Sequence, residues 1–204
     1  KALNLKMGSE IIVTPRSYYA SASCIFMNNC IPKFADIDLK SQNICIKNLK
    51  KNISKKTKAI ICVHLNGYPC EMNEIIEIAK KNKLYVIEDC SQAHGAKINN
   101  KFVGSFGDIG VWSFCQDKII STSGEGGMIA TNNTKLFRKI WSLKDQGRNI
   151  DKMHKSKDNK FRYVHDYLGL NFRMTEIQAK IGAIQLSKLR SWIKKRNFNA
   201  KLIL

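Results

Sequence analysis

Lys118 lies in residues 113–127, SFCQDKIISTSGEGG, between the end of an apolar run and a stretch of small residues and glycine that leads into a buried-strand pattern. A lysine whose pKa is depressed by apolar neighbours and a second cation becomes a nucleophile able to form a Schiff base with an aldehyde cofactor. The spacing also fits an ordinary surface lysine, so the segment alone leaves both readings open. The second segment is 86–96, VIEDCSQAHGA. Asp89 stands there at the end of an apolar strand pattern, where a carboxylate is costly unless something cationic meets it. Its functional reading is the partner of a pyridinium nitrogen, which keeps such a ring protonated and electron-withdrawing. Its plainer reading is an ion pair or a helix N-cap. Gln92 and His94 follow in the same turn.

Other groups point to less. His64 and His94 lie on separate segments without paired-histidine spacing, and the seven cysteines form no C-x-x-C pair, so neither a metal site nor a disulfide frame is expected. The cysteines imply a reducing, cytoplasmic setting. Gly104, Gly107 and Gly110 recur every third residue and do not spell a dinucleotide fingerprint.

The elements that must position these residues follow from periodicity. Residues 10–14, 33–37, 58–65, 84–89 and 111–115 read as strands. Between them, 71–81 reads as a helix, with Met72, Ile75, Ile76 and Ala79 forming one apolar stripe. This alternation predicts an α/β fold with a mostly parallel sheet, whose ligands gather outside the carboxyl ends of the strands. Residues 134–146 read as a helix and 155–160 as a polar loop. The helix over 175–190 opens on a capping box, Thr175 with Gln178, and Ile177, Ile181 and Ile184 are expected to be its buried stripe.

With 204 residues and 44% hydrophobic composition the chain can bury a core, which excludes disorder and collagen-like repetition. No apolar run approaches the roughly 18 residues of a membrane span, and a soluble protein is expected. The net charge is +19, yet Lys outnumbers Arg 28 to 7 and the lysines are dispersed. Only 47–58, KNLKKNISKKTK, is dense, and it reads as a solvated helix and loop rather than a nucleic-acid face. Attraction of an anionic small substrate is compatible with the same charge. A first residue other than Met and a last segment without a stop signal suggest a fragment cut at both ends.

The segments EIIVTPRSYYASAS, TKAIICVHLNGYPCEM, YVIEDCSQAHGA, VGSFGDIGVWSFCQDK, GEGGMIATN and NFRMTEIQAKIG resemble, in order and spacing, the DegT/StrS-type sugar aminotransferases. These are pyridoxal-phosphate enzymes of the aspartate-aminotransferase fold type, and the likeness runs from about residue 8 to 196. It implies a three-layer large domain over 1–190 lacking its N-terminal part, with 191–204 opening the connection to a smaller C-terminal domain. Part of the phosphate cradle would then be missing. It also implies that Lys118 binds the cofactor covalently and moves the proton, and that Asp89 holds the pyridine N–H. Gln92 resembles the residue beside the phenolic oxygen, Ser113 a phosphate ligand and Tyr18 the aromatic stacked on the ring. Asn171 resembles the residue that reaches the cofactor phosphate of the neighbouring subunit, which implies a homodimer with shared sites.

The activity so implied is transfer of an amino group from glutamate to a keto or aldehyde sugar for lipopolysaccharide or another surface glycan. TPRSYYASAS, DIDLKSQNI and WSFCQDK look most like members acting on eight-carbon sugar acids, giving 8-amino-3,8-dideoxy-manno-octulosonate. A nucleotide-linked keto sugar is the competing acceptor. The family's dehydratases carry histidine at the position of Lys118, which argues for transamination. A regulator that kept the fold and binds nucleic acid is the remaining alternative.

Overall fold

The computed structural model describes residues 1–153 and 164–203, so the predicted loop at 155–160 lies outside the described residues. Six strands form one sheet in the order β2 (Ile31–Phe34), β1 (Glu10–Val13), β3 (Thr57–Val63), β4 (Tyr85–Asp89), β7 (Ile109–Ser113) and β8 (Gly127–Ala130). All neighbours are parallel except β7 and β8. A separate two-stranded hairpin joins β5 (Lys97–Ile98) and β6 (Lys101–Phe102).

Alternation along the central strands sends apolar side chains to both faces, as a buried parallel sheet requires. Ile12, Ile60, Cys62 and Val86 face one side and pack with Leu49 of α2 (Ile46–Asn52) and with Met72 and Ile75 of α3 (Met72–Asn82). Ile11, Val13, Ala59, Ile61 and Val63 face the other and meet Ile25 of α1 (Ala20–Phe26). The result is the expected three-layer α/β arrangement. Each fully buried Val or Ile contributes about 1.5–3 kcal/mol to holding helices on the sheet. Parallel pairing gathers the carboxyl ends of β1, β3, β4 and β7 on one side of the sheet, and these ends with the segments that follow carry Ser21, His64, Asp89 with Gln92, and Lys118.

The second strand runs over residues 31–34 rather than 33–37, because its register with β1 starts at Ile31 opposite Glu10. The strand after the glycine-rich stretch is not buried: β8 returns antiparallel along β7 and forms the sheet's edge, with all four residues exposed. A fourth helix, α4, spans Thr134–Lys144, followed by the single turn of α5 (Ile150–Met153).

The last helix, α6, runs Glu176–Ile203, well past the expected end at residue 190. Its capping box is present: Thr175 N–H donates to Gln178 Oε1 at 3.1 Å and Gln178 N–H donates to Thr175 Oγ1 at 3.3 Å. The expected buried stripe is not. Ile177 is 76% and Ile184 46% exposed, and no described α6 residue is buried. The side that meets the rest of the chain carries Gln178, Gly182, Gln185 and Ile193, one residue and so about 100° round from the predicted one.

Candidate active site

Two cavities adjoin, the first at the carboxyl edge and the second running from it over the sheet face along Ile11, Ile61, Ile87 and Ile109. One, of about 810 Å³, is lined by Gln92, His94 and Lys118 together with Asn66, Lys97 and Arg196. The other, of about 760 Å³ and largely apolar, is lined by Asp89 and Ser21. Ser91 stands in the wall of both. Ser113 lies at the end of β7 outside either lining, and Tyr18 and Asn171 are exposed and also outside them.

Asp89 is the last residue of β4 and is half-buried. Its Oδ2 accepts from Ser21 Oγ at 2.8 Å and its Oδ1 from the Ser91 N–H at 3.1 Å. Among the described residues no ion pair reaches it. Among those residues it is thus neither of the plainer things the sequence allows, an ion-pair partner or a helix cap. It is a carboxylate served by neutral donors, with capacity left to accept from a cationic ring N–H. That donor set fits the pyridinium of pyridoxal phosphate.

Lys118 sits in the long connection between β7 and β8, its side chain 21% exposed, with Nζ 3.0 Å from Oδ2 of the exposed Asp117. That contact holds the Asp117 carboxyl below its usual range. The connection is pinned against α6 in three places. Ser121 N–H donates to Gln185 Oε1 at 2.8 Å, Gln178 Nε2 donates to the Glu125 carbonyl at 3.0 Å, and Gly182 lets the helix approach Thr122 so closely that a Cβ would lie 2.9 Å from its Cγ2.

Gln92 Oε1 accepts from the Asn66 N–H at 2.6 Å, which fixes the orientation of the amide and leaves its NH₂ as the donating end. Ser113 Oγ accepts from the Cys115 N–H at 3.2 Å, and its carbonyl takes the Nε2–H of buried His94 at 2.9 Å. Burial lowers the pKa of His94; the bond to Ser113 opposes this and the charge of Lys118 adds to it. Asn171 Oδ1 accepts from Arg173 Nε at 3.0 Å in the turn before α6.

Beneath the site is a buried unit that sequence reasoning missed. Glu88 and His64 are both fully buried, 3.2 Å apart. His64 Nδ1 accepts from the Cys70 N–H at 3.1 Å, which puts the ring proton on Nε2, facing Glu88. The other lone pairs of Glu88 take the backbone N–H groups of Gly104, Phe106 and Gly107, each at 2.7 Å. Burial pushes this carboxyl up, but the His64 bond and those of Gly107 and Gly104 outweigh it and hold its pKa below the usual range. Ligand-type atoms of His64, Glu88 and Cys90 lie within 4.8 Å of one another. The unit is nonetheless closed on itself, since both His64 nitrogens and both Glu88 oxygens already have partners. Its signal in the sequence was an acid directly before Asp89 in a strand otherwise buried.

The model of the DegT/DnrJ/EryC1/StrS aminotransferase family matches residues 1–204. GDP-perosamine synthase of Escherichia coli O157:H7 is 40% identical over 195 residues, 96% of this chain and 51% of that protein. The crystal structure of an aminotransferase from Psychrobacter cryohalolentis superposes with a TM-score of 0.96 at 46% identity, covering 98% of this chain and 51% of that one. A histidine-to-asparagine mutant of GDP-4-keto-6-deoxymannose-3-dehydratase with bound GDP-perosamine superposes at 0.88 and 34% identity, over 97% and 53%. The chain thus spans about half the length of the relatives it matches, and the family's cofactor is pyridoxal phosphate. By residues, strand order and superposition, this chain belongs to the DegT/DnrJ/EryC1/StrS aminotransferase family.

Proposed function

We propose that this chain forms the cofactor-binding part of a pyridoxal-phosphate-dependent sugar aminotransferase, moving an amino group from glutamate to a nucleotide-linked keto sugar. The observation that carries the reading is Asp89, a half-buried carboxylate at a strand end, served among the described residues by neutral donors alone and beside the cavity that holds Lys118. Bound there, pyridoxal phosphate supplies a protonated ring that draws electrons from the reacting carbon. Asp89 keeps the ring nitrogen protonated. Lys118 would hold the cofactor through its amine and, once the incoming amine displaces and frees it, would carry a proton between the carbons of substrate and cofactor. Gln92 turns its NH₂ toward the phenolic oxygen, and Ser113, whose Oγ already accepts a backbone N–H, donates its hydroxyl proton to the phosphate. The exposed ring of Tyr18 stacks on the cofactor. Asn171 reaches the phosphate held by a second copy, so the working unit is a homodimer.

The nucleotide-linked acceptor is supported by the GDP-perosamine named for two of the relatives. The stretches TPRSYYASAS and WSFCQDK support the second reading, an eight-carbon sugar acid. In either case the product is an amino sugar for a surface glycan.

Full-length protein incubated with pyridoxal phosphate is expected to turn yellow, and borohydride to fix the cofactor to the peptide containing Lys118. Lys118→Ala is expected to abolish that attachment. Glutamate with a panel of GDP-, UDP- and dTDP-linked keto sugars and an eight-carbon keto acid then identifies the acceptor by 2-oxoglutarate release. Absence of the Lys118 adduct overturns the reading.

A further inference from the structure

Asp89 is held by a device the family reading does not supply. Ser21, in the first turn of α1, is only 6% exposed, and its Oγ lies 2.8 Å from Asp89 Oδ2 across 68 residues of sequence. Ser17 Oγ lies 2.7 Å from Ser21 Oγ. The direction of this chain follows from chemistry. A carboxylate only accepts, so the Ser21 hydroxyl donates to Asp89, and its oxygen is then the acceptor for the Ser17 hydroxyl. Every O–H along Ser17, Ser21 and Asp89 points the same way, and hydrogen bonds so aligned polarise one another. The Ser91 N–H grips the other oxygen from the segment after β4. The carboxylate is thus fixed from two elements at once, whereas the terminal torsion of an aspartate left to itself is broad.

We propose that Ser21, backed by Ser17, is a positioning residue that sets the plane of the Asp89 carboxylate to receive the ring N–H of the cofactor. This rests on the reading that Asp89 meets that nitrogen. A bond to a charged acceptor is among the stronger hydrogen bonds, so its loss is expected to weaken binding by about tenfold.

The test uses full-length protein and two readouts. In the cofactor-free form, Ser21→Ala should melt within about 2 °C of wild type. Its dissociation constant for pyridoxal phosphate, measured by fluorescence quenching, should rise about tenfold. In the loaded enzyme kcat should fall with KM for glutamate nearly unchanged. Ser21→Cys, similar in shape but a weak donor, should behave like Ser21→Ala; Ser21→Thr, which keeps the hydroxyl, should restore binding; Ser17→Ala should show a smaller loss. Unchanged cofactor affinity in Ser21→Ala overturns the proposal, as does failure of Ser21→Thr to restore it or a large loss of melting temperature in the cofactor-free form. If wild type binds cofactor and Asp89→Ala abolishes it while Ser21→Ala does not alter it, only this inference falls. If wild type does not bind it, the functional reading falls first.

Discussion

Glu88 and Asp89 are consecutive carboxylates on one strand with opposite surroundings. Alternation along β4 turns Glu88 toward a ring of backbone N–H groups and His64, and leaves Asp89 facing the carboxyl edge. Replacing Glu88 by Gln puts an NH₂ where an acceptor is needed and strands buried backbone donors. The expected loss is about 3 kcal/mol, read from urea denaturation. The pH dependence has a definite sign. The folded pKa of Glu88 lies below its ordinary value of 4.5, so its contribution to stability is fully present above that value and is lost as pH falls through the folded pKa. Denaturation midpoints taken down the acid range should fall steeply for wild type and less for Glu88→Gln.

At the scale of elements, α6 depends on its first turn for a defined start. Thr175→Ala removes one half of the reciprocal cap and should cost about 1 kcal/mol, read as faster amide exchange in residues 176–179. The capping box was legible because it is a local pattern, and the central strands were legible because apolar residues run through both their faces. The segments around Lys118 and Asp89 were marked by a lysine before a glycine-rich stretch and an acid ending an apolar run, but spacing alone left the surface-lysine and ion-pair readings open, and the ordered resemblance of several segments was what singled them out. What was not legible depends on distance. Ser21 meets Asp89 from a segment 68 residues away, and neither residue carries a local mark of the other. The periodicity of α6 gave an apolar stripe through Ile177, Ile181 and Ile184, but the side that touches the rest of the chain passes through Gln178 and Gln185. A helical pattern says which residues share a side and not which side finds a partner. The exposure of β8 is of the same kind, since composition does not report whether a strand sits at the centre of a sheet or at its edge.

Across the whole molecule, the core is concentrated around β1, β3 and β4, while apolar side chains remain open elsewhere. Ile177, Leu186, Phe198 and Leu202 on α6, and Phe26 and Met27 by α1, are all exposed. Apolar area on this scale favours association. The 204-residue polypeptide on its own is therefore expected to self-associate despite its charge of +19, and sedimentation velocity should show species heavier than one chain. Ile177→Ser with Phe198→Ser should shift that distribution toward the single chain. An unchanged distribution would locate the sticky surface away from α6.

The 28 residues of α6 form a rod roughly 42 Å long, and the Lys118 connection is fastened to it near one end, at Gln178, Gly182 and Gln185. Farther along, Ile193 packs so closely on Gly95 that its Cδ1 leaves no room for a Cβ there, so one stiff backbone braces both the segment carrying Lys118 and the turn carrying His94.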